Sequence, residues 1–257
     1  MKHTTQKITN FALGIIVASA LSSQANAQST NSPAQTSWIK DQLGELAPKN
    51  VTLNSGFHSK YLGTYGFTLS DGPVITSDLS FSVGRLNYDF WNNYDLNKGW
   101  TEADHTFSTA IETKYLTLKP DAIVFSSPTK AFPTSVTLGL GLHSKGLPLD
   151  LSLYGAHAIG EGTYDGQLFQ FRAAKNIPLT PISTRLSLSL ETRATYNNSY
   201  FVDGRGFTTV AGGASLNYNL GKGFSASAGT RFQKAFKSLG GTFKDNSVFE
   251  FGLTKKF

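Results

Sequence analysis

The sequence predicts an all-β chain that closes into a transmembrane, antiparallel up-and-down β-barrel of about twelve strands. Three observations carry this. From Val51 onward, apolar residues recur with a period of two rather than 3.6. The 257 residues are 39% hydrophobic but only 16% charged, which leaves a surplus of Ser, Thr, Asn and Gly. After Ala27 no apolar run reaches the roughly 18 residues that a membrane-crossing helix needs.

The chain begins with a segment that reads as an export signal. Lys2 and Lys7 form a basic start, Phe11 to Leu21 is a short apolar stretch, and Ala25-Asn26-Ala27 is an A-x-A cleavage site. Residues 1–27 are therefore expected to be removed. Residues 28–50 form a periplasmic leader, in which 37–47 has the pattern of a short helix: Ser37 as N-cap, Trp38, Leu43 and Leu46 on one face, Pro48 as stop. The barrel is expected over 51–257. Its strands are placed at about 51–62, 73–83, 85–96, 104–117, 120–127, 133–143, 147–158, 164–176, 182–196, 206–220, 223–236 and 246–257. The short segment between Pro120 and Pro128 decides whether the count is ten, twelve or fourteen. Short connections, including one near Lys119-Pro120, alternate with longer ones such as 63–72 and 237–245, which is the plan of an outer-membrane barrel.

Composition excludes several classes. With no Cys, there is no disulfide scaffold, no thiolate chemistry and no Cys-based metal site. With 19 Phe, 10 Tyr and 3 Trp, the chain is too rich in large apolar groups for disorder. Loss of Lys2 and Lys7 takes the net charge from +6 to +4, with no basic run, so nothing points to nucleic acid. The alternation itself fits either a soluble sandwich or a membrane barrel. Sparse charge on the polar parity and aromatics near strand ends (Tyr88, Phe90, Tyr115, Tyr196, Tyr218, Phe224, Phe236, Phe257) favour the barrel.

The last strand, SVFEFGLTKKF, is apolar on one parity and stops at Phe257. It resembles the terminal strand of Gram-negative outer-membrane barrels, in which the final Phe is part of the assembly signal; Lys255 departs from that pattern. The chain also resembles the TorF-type porins. The points of likeness are Gly72 to Val74, the Trp-containing Asp89 to Asn92, the acidic pair Glu102 and Asp104, and the Ala131 to Pro133 corner. The resemblance implies a pore former in the outer membrane, amid lipid and lipopolysaccharide, inserted by the barrel-assembly machinery. It supplies no catalytic residues and no cofactor.

Parity turns twelve charged residues inward: Asp78, Asp89, Glu112, Lys114, Asp150, Arg172, Arg185, Glu191, Arg193, Arg231, Glu250 and Lys256. All but Asp89 and Lys256 are taken as pore-lining. A lumen of this kind suits passive diffusion of small hydrophilic solutes; the same charges also suit a closed, structural barrel. A lipid hydrolase is the weakest alternative. His143-Ser144 and His58-Ser59 are adjacent and so point to opposite faces, and no oriented Ser-His pair is found. No His or carboxylate cluster recurs at metal-ligand spacing. The expected reading is a channel, not an enzyme.

Overall fold

The computed structural model describes residues 48–63, 65–127, 134–159, 166–236 and 243–257. The expected export signal, the expected helix over 37–47 and the Ala131–Pro133 segment lie outside these residues. Twelve long strands follow one another: β1 (Lys49–His58), β2 (Val74–Val83), β3 (Leu86–Asp95), β4 (Gly99–Thr109), β5 (Leu116–Ser126) and β6 (Ser135–Ser144). They continue with β7 (Asp150–Ile159), β8 (Gln167–Pro178), β9 (Leu186–Asn198), β10 (Arg205–Gly221), β11 (Phe224–Ala235) and β12 (Asn246–Lys256). Each pairs with its neighbour in sequence, β1 pairs with β12, and the ring is complete. The contacts below fall within one compact unit, Asn50–Phe81 with Arg85–Phe257.

Closure leaves no strand edge without a partner, which is the condition for placing a sheet in lipid. The apolar parity faces outward. Leu138, Leu140, Leu153, Phe169, Phe171, Leu216, Phe249, Phe251 and Leu253 are all exposed large hydrophobics. A band of that extent is untenable in water and suited to hydrocarbon. Polar groups on this outer wall are paired with each other: Ser77 Oγ donates to Asn92 Oδ1 at 3.0 Å, and Tyr88 OH meets His105 Nδ1 at 2.8 Å. Lys255, the outlier of the terminal strand, also points outward. Its ammonium lies over the rings of Phe224 and Phe257, 4.3 and 5.2 Å from their centroids, and donates to the Lys222 carbonyl. At a strand end this satisfies a charge that mid-bilayer would not tolerate.

The fourth and fifth strands differ from the sequence expectation. The connection is at 110–115, and Lys119-Pro120 lies within β5. Pro120 reads as a breaker because it cannot donate a ladder bond. Here it stays paired with Leu140 of β6, and the ladder to β4 is the one that lapses. That ladder runs from Ala103↔Ser126 to Ser108↔Asp121, and resumes only at Ile111↔Leu118. The first strand also ends earlier than expected, at His58, because Tyr61 and Leu62 belong to a separate hairpin described below.

The β10–β11 turn is sterically strict. Gly221, Lys222 and Gly223 all have positive φ, and a Cβ on Gly223 would stand 2.2 Å from the Lys256 carbonyl oxygen. Gly223→Ala therefore incurs the left-handed penalty plus a backbone clash beside the C-terminal strand, about 2 kcal/mol or more. The expected result is a lower unfolding midpoint in detergent; an unchanged midpoint would show that the turn relaxes freely.

Candidate functional site in the lumen

The polar parity encloses a cavity of about 1330 Å³. Of the ten expected pore-lining residues, Asp150, Arg172, Glu191, Arg193, Arg231 and Glu250 line it. Asp78 stands on the same inner face and accepts from Asn54 Nδ2 at 2.9 Å. The other three are elsewhere. Glu112 is exposed beside the 110–115 turn and pairs with Lys145 at 2.8 Å; Lys114 lies in that turn with its ammonium over Tyr115; Arg185 is exposed in the turn before β9. Asp89 lines the cavity, as do Glu102 and Asp104; Glu102 falls before the expected 104–117 strand because β4 begins at Gly99, while Asp104 is the first residue of that strand and shares the inward parity of Glu112.

The charges divide by wall. On β8, β9 and β11 stand Arg172, Arg193 and Arg231. Arg172 and Arg193 are directly opposite each other in register, and Glu191 bridges them: Arg172 Nε donates to Oε2 at 2.5 Å and Arg193 Nε lies 2.5 Å from Oε1. Arg231 donates through Nε and Nη2 to Glu250 Oε1. Glu250 also lies 3.4 Å from His58 Nδ1, whose Nε2 is 3.1 Å from Thr76 Oγ1. Each guanidinium is thereby held in place by a carboxylate.

On β2 to β5 stand Asp78, Asp89, Glu102, Asp104 and Asp121. Among the described residues, Asp78, Asp89 and Asp104 make no ion pair. Trp91 lines the cavity between them and stacks on Tyr61 at 5.7 Å. In a ring of twelve strands, β3–β4 and β9–β10 are diametrically opposed, so the acidic wall faces the arginine wall.

The β1–β2 connection closes over this lumen. Tyr61–Leu62 pairs with Thr68–Ser70 as a small hairpin. Its tip is tight: Gly66 has φ +88°, and a Cβ there would meet Thr209 Oγ1 at 2.7 Å and Gln233 Oε1 at 3.0 Å. The hairpin is pinned on several sides. Tyr61 OH donates to Glu102 on β4, Tyr65 OH donates to Tyr154 OH at 3.4 Å, and Gln233 Nε2 on β11 donates to the Gly66 carbonyl at 2.9 Å. Phe67 sits in a buried aromatic knot, 5.1 Å from Phe243, 6.4 Å from Tyr200 and 6.1 Å from Phe201. Burial, with nearby carboxylates and phenols adding to it, raises the hydroxyls of Tyr61, Tyr65 and Tyr200 well above the ordinary phenol value, so they stay protonated donors. In the sequence, Tyr61 and Leu62 read as the end of the first strand and 63–72 as an ordinary long loop.

A closed ring of twelve antiparallel strands, apolar outside and charged inside, defines the chain as an outer-membrane-type β-barrel of the porin fold. No protein-family model matches it, and no curated protein does. Among solved structures it is similar to the KdgM porin, at 9% identity and a TM-score of 0.55, over 80% of this chain and 99% of that one. It is likewise similar to the NanC porin, at 9% identity and a TM-score of 0.54, over 80% of this chain and 100% of that one. The likeness is one of fold, and does not single out the TorF-type group. Both neighbours are porins, channels rather than enzymes.

Proposed function

We propose that this chain is an outer-membrane porin-like channel for passive diffusion of small hydrophilic solutes through a narrow, charged lumen. The observation that carries the reading is the 1330 Å³ cavity inside a closed barrel, lined by fixed charges on both walls. A solute entering it trades hydration for contacts with those charges, with no chemistry and no energy source. The apolar outer band supports a place among outer-membrane lipid and lipopolysaccharide, and the strand ending at Phe257 supports insertion by the barrel-assembly machinery. Export would use residues 1–27 and leave the leader periplasmic.

One observation favours a second reading, a closed structural barrel: the hairpin Tyr61–Ser70 and the Tyr200–Phe201 loop fill the lumen at one end. Planar-bilayer recording of the refolded protein across a salt gradient decides. Discrete, reproducible openings are expected. A folded, heat-modifiable barrel that never conducts would favour the structural reading.

A further inference from the structure

We infer that the lumen selects dipolar solutes, those carrying both an ammonium and a carboxylate; the inference rests on the channel reading above. It starts from the distribution of charge in one cavity. Arg172, Arg193 and Arg231 form one wall, and Asp89 and Asp104 the wall across from it, with Asp78 on the same inner face of the barrel. The two walls are prepared differently. Each guanidinium is fixed by Glu191 or Glu250, and at Arg172 and Arg231 this sets the orientation while part of the donor fork is still available to an anion.

The opposite wall is short of positive charge. Asp78, Asp89 and Asp104 stand on three successive strands and make no ion pair among the described residues, and Asp104 Oδ1 is shielded with no hydrogen-bond partner. Carboxylates gathered on one wall with no counter-charge favour a cation beside them. An ammonium supplies three donors to such a group. The faces of Trp91 and Tyr61, which line the cavity beside Asp89 and Asp104, add the aromatic surface that favours organic cations.

A simple anion finds the arginines but must pass the carboxylates. A simple cation finds the carboxylates and nothing on the other side. A solute with both charges satisfies the two walls at once and crosses with no net charge to desolvate. An amino acid with its charges at opposite ends is the smallest such molecule.

The test is swelling of liposomes containing the whole refolded barrel, in iso-osmotic γ-aminobutyrate and in erythritol, an uncharged solute of similar size. The readout is the ratio of the two rates in the same vesicles. The wild-type ratio is expected to be about fivefold, the factor that one water-screened charge contact supplies. Asp89→Asn with Asp104→Asn, and separately Arg172→Gln or Arg231→Gln, should each bring it near one. Two arginine variants are named so that a folding failure in one leaves the other; heat-modifiability confirms the fold of each. A wild-type ratio of one overturns the inference in favour of a plain sieve. A ratio lowered by the acidic-wall change but by neither arginine variant overturns it in favour of a cation pore. Failure of erythritol itself to enter would instead sink the channel reading.

Discussion

Replacing Tyr61–Ser70 by a short Gly-Ser link raises the single-channel conductance several-fold and leaves a folded barrel. The hairpin is not part of the ring: β1 ends at His58, β2 begins at Val74, and both keep their barrel partners without it. What it supplies is bulk in the lumen. Tyr61 reaches Glu102 on β4, while the Gly66 tip reaches Gln233 on β11, so the segment runs from the acidic side to the arginine side. Leu62 and Phe67 are buried there, at 4% and 8% exposure. Their loss costs about 1.5–3 kcal/mol each in burial, so the unfolding midpoint falls while the barrel persists. Conductance and midpoint measured on the same preparation separate the two effects. A folded variant with unchanged conductance would show that the hairpin does not limit the pore. A wild type that is silent and a variant that conducts would make the hairpin a plug, which reconciles the channel and structural readings.

The barrel was legible because parity is a local property. Val136, Leu138, Leu140 and Leu142 face out, and Gly139, Gly141 and His143 face in, as their alternation requires. Parity fails where a strand stops. Arg185 is one residue before β9, and Glu112 and Lys114 lie at the turn that Pro120 concealed, so counting in twos through them assigned a side where there is no continuous wall. At the other end of that strand, Glu102 falls before the expected start at 104, because β4 begins at Gly99. The hairpin was invisible for a different reason. Its fixing contacts join residues 41 and 167 positions apart, and no local pattern encodes them. A segment with two Tyr, a Phe and two Gly is as well suited to solvent as to a lumen.

Glu191→Gln is expected to be the most damaging single change on the arginine wall, costing about 2 kcal/mol and moving selectivity toward anions. Arg172 and Arg193 are cross-strand neighbours, an arrangement that repels on its own. Glu191 makes it tolerable by forming an ion pair with one of them through each carboxylate oxygen. Gln keeps the shape but loses the charge, and its amide oxygen can accept from only one side. Two partly buried guanidiniums then share a wall without compensation. The cost is that of a lost charge-assisted hydrogen bond, reduced from the fully buried figure because the lumen admits water. Arg231 and Glu250, on the adjoining strands, form a separate pair and are unaffected. The checks are denaturant unfolding in detergent and the reversal potential across a salt gradient. A lower midpoint with unchanged selectivity would mean that the two arginines brace the wall without facing the solute path. A shifted reversal potential with an unchanged midpoint would mean that water already screens the pair, and that Glu191 is there for what passes rather than for what folds.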